Sequence, residues 1–504
     1  MSTDPEEKPA ATERMPWFLR IVRNWVSLAG AVLAMGAVFA FVLLFFVDIF
    51  AQHANPYMGI LAYVVAPAFF FGGLTLVLLG HWIQRRQKKK TGLEAGALRL
   101  NIDLSKKRHR SLLLLFAMAS VCFLFLTAFG SYQTYHLTET NSFCGETCHE
   151  PMEPQFVAYQ TSAHAQVACV ACHVGPGATE YVKTKVNGVR QLYHTVLGDF
   201  DRPIRLHQRD RRPSDETCQS CHWQQKYTGS VLREYKHYLA DEENTPFTVK
   251  MMVHVGGGDP LHGPVKGIHW HMNLSNRIEF VERGETGDSI PWVRLTDADG
   301  KVTVFRTEDM EGDPAPEEIV SMDCMDCHNR PAHRFDTPND AVDRALVNHR
   351  IDPSMPWVKM KAVEALTRPY QNREEAMASI EEYLTAEYPD DPRRGELVGQ
   401  VQDIYRQNFF PEMKADWRTY PEHIGHKNWA GCFRCHDGEH YAEDGETTIK
   451  ASDCTTCHTI VSQGMTPEEL ATMSPEGLPF VHLDFEYDSV DCADCHTGAN
   501  QEEE

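Results

Sequence analysis

Three long apolar runs open the chain, about Trp25 to Phe50, about Tyr57 to Trp82 and about Ser111 to Tyr132, and nothing comparable follows them. Each meets the roughly 20 residues that a helix needs to cross a bilayer, so the pattern predicts three membrane-spanning helices. The first run exceeds the about 7 to 15 residues of a signal-peptide apolar region and is expected to stay as an anchor. Beyond residue 132 the pattern breaks into short pieces. Arg277 to Glu282 and Ile290 to Arg306 alternate apolar and polar residues around an Asp297-Ala298-Asp299-Gly300 turn, which predicts a small β-hairpin region. Ala341 to Asn348, Val358 to Thr367, Arg373 to Tyr388 and Gly395 to Asn408 have helical apolar spacing, with Pro369, Pro389 and Pro392 at the breaks.

Charge orients the apolar part. The segment between the second and third runs holds ten Lys and Arg between Arg85 and Arg110, whereas Asp48 to Pro56 after the first run holds none. Basic loops stay on the cytoplasmic side, which puts the N-terminus inside and everything after about residue 132 outside. Asp48, Gln52 and His53 share that outer side, as an ordinary solvated loop or as part of a pocket. Residues 1 to 131 carry 14 Lys and Arg against 7 Asp and Glu; the rest carries 34 against 63. Such an acidic outer part gives solubility or steers a basic partner, and it argues against nucleic-acid binding.

The outer part also explains how a chain with only 42% hydrophobic residues could pack. Six times it writes Cys-x-x-Cys-His: Cys169/Cys172/His173, Cys218/Cys221/His222, Cys324/Cys327/His328, Cys432/Cys435/His436, Cys454/Cys457/His458 and Cys492/Cys495/His496. A seventh set, Cys144/Cys148/His149, has one more residue between its thiols. This is the attachment signature of c-type haem: two thiols hold the porphyrin edge and the histidine caps the iron. Zinc ribbons and disulfides use paired cysteines too, but neither needs a histidine after every second one. Seven covalent haems are expected, and they would supply the apolar mass the sequence lacks. Cys122, outside the motifs, is read as packing.

The expected fold class is therefore mainly α and irregular, three N-terminal transmembrane helices followed by a multihaem c-type cytochrome with a small β insertion. The expected divisions are a membrane anchor over 1–132, a four-haem core over 133–340 with its insertion at about 223–320, a helical spacer over 341–415, and a triheme domain over 416–504.

Phe143-Cys144, His149-Glu150-Pro151-Met152, Ser162-Ala163-His164, His173-Val174 and Gln191-Leu192-Tyr193-His194 together resemble the membrane-anchored quinol dehydrogenases of the NapC/NirT family. The similarity runs from about Ser111 to His222 and resumes from Cys324 to His333. It implies an iron ligand from Met152 for haem one, with His149 as the alternative, and from Lys185 (or Lys183) for haem two. It further implies that His333 serves haem three beside His222 and that His164 serves haem four beside His328. Lys185, Gln191 and His194 are the implied quinol-site residues, although a glutamine at 191 cannot accept a proton as an acidic residue would.

For the last three haems, His423, His426, His440 and His482 are the candidate axial ligands; the pair ahead of Cys432 resembles small triheme cytochromes of the c3/c7 type. His254, His262, His269 and His271 form a cluster in the insertion, read as loop or haem-edge packing with an axial-ligand or proton-relay role as the alternative. The expected function is oxidation of menaquinol or a related quinol at the periplasmic face of the bacterial cytoplasmic membrane. Electrons would leave for periplasmic c-type cytochromes or a terminal reductase, with homo-oligomerisation left open. A terminal reductase with one open haem, and a conduit beside a separate quinol-oxidising subunit, are the rival readings.

Overall fold

The computed structural model describes residues 25–50, 65–91, 105–147, 149–175, 177–205, 212–223, 226–257, 266–450 and 454–483. The longer helices are α1 (Trp25–Phe50), α2 (Ala66–Thr91), α3 (Lys107–Thr138), α4 (His149–Gln160), α5 (Ala178–Leu197), α6 (Pro338–Val347), α7 (Val358–Thr367), α8 (Arg373–Glu387) and α9 (Arg394–Asn408). The chain divides into two compact units, one of residues 1–140 and 174–188, the other of residues 141–173 and 189–504.

In the first unit, α1 and α2 meet through residues without side-chain bulk. A Cβ on Gly30 would lie 2.5 Å from the Gly73 carbonyl oxygen, and one on Gly73 would lie 2.6 Å from that of Gly30, so only glycine lets the backbones come this close. Buried Ser27 donates its hydroxyl across the seam to the Val77 carbonyl at 3.1 Å. Small residues and such hydrogen bonds are how helices associate where the surroundings are as apolar as the helices themselves. The outward faces carry exposed Met35, Phe39, Phe71 and Leu78, as lipid contact requires.

Among the described residues two helices, Trp25–Val42 and Ala66–Arg86, are long and apolar enough to cross a bilayer. Two candidate spans, rather than the expected three, are therefore found among the described residues. The stretch expected to cross third, 111–132, lies inside α3, which exposes Leu114, Leu115, Met118, Val121 and Phe125; many of its other side chains lie outside the described residues. The expected start of the second run at about Tyr57 lies outside the described residues; the described helix runs from Ala66 past Trp82 to Thr91. Arg86 lies over the Trp82 ring at 3.8 Å, an aromatic and a basic residue placed as at a membrane interface.

In the second unit, the four helices α6 to α9 fall where the apolar spacing predicts them. They build the largest core, in which Leu346, Val358, Ile380, Leu384 and Val401 are fully buried with Met355 and Trp417. Thr337 caps α6 by accepting from the Asp340 amide at 3.2 Å, and Asn372 caps α8 by accepting from the Glu375 amide at 2.9 Å. Ala158 of α4 joins this core, and Arg373 pairs with Glu153 of α4 at 2.7 Å. The second unit therefore has an ordinary core, where haem was expected to supply the missing apolar mass. Leu346→Ala is expected to cost about 2–5 kcal/mol, read as a fall in the denaturation midpoint of the holoprotein.

The β region is larger than a hairpin. The strands are β1 (Val231–Tyr238), β2 (Pro246–Val253), β3 (Arg277–Arg283), β4 (Ser289–Thr296), β5 (Val302–Arg306), β6 (Val320–Ser321), β7 (Tyr441–Ala442) and β8 (His458–Gly464). β3, β4 and β5 are where alternation predicts strands. They lie in a five-stranded sheet of order β6-β3-β4-β5-β7, while β1, β2 and β8 make a second sheet. Both sheets are completed from the C-terminal block: β7 pairs with β5, and β8 pairs with β2 from Thr248↔Gly464 to Val253↔His458. β1 is fixed to the helical core by buried Asp343, which accepts from the Tyr238 amide at 3.0 Å and pairs with Lys359 at 2.7 Å.

Candidate functional site

Each described Cys-x-x-Cys segment forms a single helical turn: Cys169–His173, Cys324–Cys327 and Cys454–Cys457 are α, and Cys218–Ser220 and Gly431–Arg434 are 3₁₀. Residues three and four apart on a helix share a face, so one turn presents both thiols and the histidine on the same side. The histidine amide donates back to the first cysteine carbonyl in three of them, at 2.8 Å for His222, 2.8 Å for His328 and 3.0 Å for His436. Asp323 and Asp326 form a reciprocal cap on the Cys324 turn. The wider first motif starts on a π-turn, Phe143–Thr147, the form in which a helix absorbs one extra residue. Cys148, the His149 side chain, and Cys492, Cys495 and His496 lie outside the described residues. None of the other eleven motif cysteines is in a disulfide.

Five motif histidines each face a histidine from elsewhere in the chain. Ring centroids are 6.1 Å apart for His173 and His333, 6.1 Å for His222 and His164, 6.3 Å for His328 and His269, 5.8 Å for His436 and His271, and 6.2 Å for His458 and His426. A nitrogen ligand sits about 2 Å from its metal, so two imidazoles capping one ion from opposite sides have centroids about 6 Å apart. The residues thus fit a haem iron between each pair.

Four of the five facing rings share a second feature. Nδ1 of His164 donates to the Pro331 carbonyl at 3.0 Å, that of His333 to Gln155 at 2.9 Å, that of His269 to Val255 at 3.0 Å and that of His271 to Ile268 at 2.8 Å. Each bond fixes the tautomer that leaves the Nε2 lone pair for a metal. Burial, aided by Arg330, pushes His333 down to about 4, and burial likewise lowers His173, His328 and His458. These four shifts favour the neutral ring, the form that ligates a metal.

Several expected placements change. His333 stands opposite His173, not His222, and His164 stands opposite His222, not His328. Lys185 is not needed beside His173: its ammonium contacts Glu139 at 3.0 Å and the Thr138 carbonyl at 3.0 Å. Lys183 is exposed and pairs with Glu180 at 2.8 Å. His440 cannot serve an iron, because Nε2 meets the Ile290 carbonyl at 2.6 Å and Nδ1 the Asp437 carboxylate at 2.8 Å; both neighbours accept, so both ring nitrogens donate. His254 is likewise tied at both nitrogens, to Ser230 at 2.7 Å and Thr459 at 3.0 Å.

His426 is where an axial ligand was expected, facing His458. Buried His423 shows the same carbonyl bond as the facing histidines, Nδ1 to Asp326 at 3.2 Å, and His482 lies against Phe480. Met152 sits half-buried on α4. The three quinol-site candidates share α5, but the nine residues from Lys185 to His194 are about two and a half turns, so these two lie on opposite faces. Gln191 is exposed, and His194 pairs with Asp199 at 2.9 Å. Near Lys185, within the first unit, Tyr135 stacks on Tyr181 at 5.2 Å and Lys185 lies over Tyr181 at 5.1 Å. Glu139 in this group is an acidic residue that the motifs did not single out.

The first five motif turns adjoin one another in chain order. A hydrogen bond with Cys144, then burial, raises the Cys169 thiol. Burial raises Cys172, with Cys218 and Cys221 adding to it, and burial raises Cys324, with Cys218 adding. Cys327 and Cys435 are each pushed up to about 12, chiefly by burial, and each feels the other or its partner thiol. Between these last two motifs, buried Arg434 donates to the carbonyls of Asp326 at 2.7 Å and Gly287 at 2.9 Å.

Residues 105–234 match the model of the NapC/NirT cytochrome c family, N-terminal region. The chain is 37% identical over 503 residues to cytochrome c-type protein ImcH of Geobacter sulfurreducens, covering 95% of this chain and 96% of that protein. It is 30% identical over 124 residues to cytochrome c-type protein NrfH of Wolinella succinogenes, covering 24% of this chain and 68% of that one. No solved structure matches. With its apolar anchor and its repeated thiol-and-imidazole turns, the chain belongs to the NapC/NirT cytochrome c family: it is a membrane-anchored electron-transfer cytochrome carrying covalently bound c-type haem.

Proposed function

We propose that this chain oxidises menaquinol or a related quinol at the periplasmic face of the cytoplasmic membrane and passes the electrons to periplasmic c-type cytochromes or a terminal reductase. Seven covalent c-type haems supply the one-electron iron couples for that transfer. The N-terminus lies in the cytoplasm, and α3 makes a third crossing that leads into the haem-bearing part.

The observation that carries this reading is the set of five facing imidazole pairs. A haem capped on both sides offers no open iron position to a substrate, which favours conduction over terminal reduction. His333 and His164 are assigned to haems two and three, and His426 to haem six. Met152, on a helix pinned by the Glu153–Arg373 pair, is assigned to haem one. His423, which shares the carbonyl-bonded Nδ1 of the facing rings, is assigned to haem seven, with His482 as the alternative.

Quinol oxidation releases two electrons and two protons, so its site needs a proton acceptor. The Glu139 carboxylate beside Lys185, at the outer end of α3, supplies one. Lys185 orients a quinol oxygen by hydrogen bonding, and the stacked Tyr135 and Tyr181 rings offer a flat apolar wall. This replaces Gln191 and His194 as the centre of the site. Anaerobic mixing of the detergent-purified holoprotein with a menaquinol analogue is expected to reduce its haems without any partner protein. No reduction under those conditions, with dithionite still reducing every haem, would leave only a conduit fed by another subunit.

A further inference from the structure

We propose that His269 and His271, on one short turn of the insertion, are the second axial ligands of two successive haems, those of Cys324/Cys327/His328 and Cys432/Cys435/His436. The turn would then be a two-headed bracket joining the family-like core to the C-terminal haem block. The proposal rests on these two motifs carrying haem, not on quinol being the electron donor.

The turn Ile268–Met272 is a 3₁₀ helix, with about three residues per turn. Side chains two positions apart on such a turn point in different directions, which suits one ligand for each of two irons. The His269 ring lies 6.3 Å from that of His328 and within 6° of parallel, and the His271 ring lies 5.8 Å from that of His436. Both Nδ1 atoms donate to backbone carbonyls, so both Nε2 atoms keep their lone pairs for a metal. Tyr227 stacks on the His269 ring at 4.3 Å and holds its plane.

The backbone is built for this presentation. The His269 amide donates to the Val255 carbonyl at 3.1 Å, and the Ile268 amide to the His254 carbonyl at 2.9 Å. Such close approach needs Gly257, at φ 84°, where a Cβ would fall 2.0 Å from the His269 carbonyl carbon. Gly267 enters the turn at φ 96°, a left-handed conformation that suits only glycine. Trp270, between the two histidines, packs on the five-stranded sheet's core. His254, whose ring nitrogens are both hydrogen-bonded, serves as the internal control.

The test is electron paramagnetic resonance and visible spectroscopy on full-length holoprotein reduced and oxidised chemically, without quinol. His269→Ala and His271→Ala are each expected to convert one haem equivalent from low spin to high spin while pyridine haemochrome gives an unchanged haem count. Added imidazole is expected to restore the low-spin signal, and His254→Ala is expected to change nothing. Should the alanine forms not accumulate, His269→Met and His271→Met are expected to stay low-spin with one haem potential raised by thioether ligation. Unchanged spin state and potentials in these variants, at full haem count, would overturn the bracket. A wild-type haem count below seven would instead strike at the haem content, and an absent quinol reaction would leave the bracket untouched.

Discussion

Serine at both Cys218 and Cys221 is expected to yield a protein with one haem fewer, in which quinol still reduces part of the haem but electrons no longer reach a periplasmic acceptor. The third motif is the natural break point, because its thiols adjoin Cys172 of the second motif and Cys324 of the fourth. Its histidine faces His164, which no other motif histidine faces among the described residues. Pyridine haemochrome reads the lost haem, and stopped-flow absorbance with menaquinol and an oxidised acceptor cytochrome reads the break. Transfer to the acceptor at the wild-type rate would mean that the motifs do not work in chain order.

Glu139→Gln is expected to lower quinol oxidation by about 10²–10⁴-fold, the usual worth of a positioned general base, while the dithionite-reduced spectrum and the haem count stay as in the wild type. Glutamine keeps the size of the side chain and can still accept a hydrogen bond from Lys185, but it cannot take a proton. The same substitution made at Glu180, which pairs with exposed Lys183, serves as the control and is expected to be silent. A Glu139→Gln protein that oxidises menaquinol at the wild-type rate would remove this carboxylate from the reaction.

What could be read from the sequence was local. The motif spacing is a statement about one helical turn, and the four spacer helices follow from apolar periodicity within 10 to 15 residues. The strands β3 to β5 are also visible, because alternation and a turn lie side by side in the chain. Partnerships across long separations were not legible. Which imidazole faces which is a tertiary fact: His333 lies 160 positions from His173, and its nearness to His328 in the chain points to the wrong neighbour. β7 and β8 are short or follow directly on a motif, and they exist as strands only because β5 and β2 offer edges to them. His269 and His271 carried one usable signal, two histidines at alternate positions after a glycine, but without the fold that pattern does not separate a ligand from a surface loop.

The closure of both sheets by late strands sets a condition on how the protein matures. Until Tyr441–Ala442 and His458–Gly464 have been synthesised, β5 and β2 are open edges, the kind of surface on which other chains assemble. A polypeptide cut short before the fifth motif would therefore keep its anchor and spacer helices yet present two sticky margins. Trimming the chain from its C-terminal side therefore calls for cutting away the insertion as well, because its two sheets lean on that block for an edge strand each.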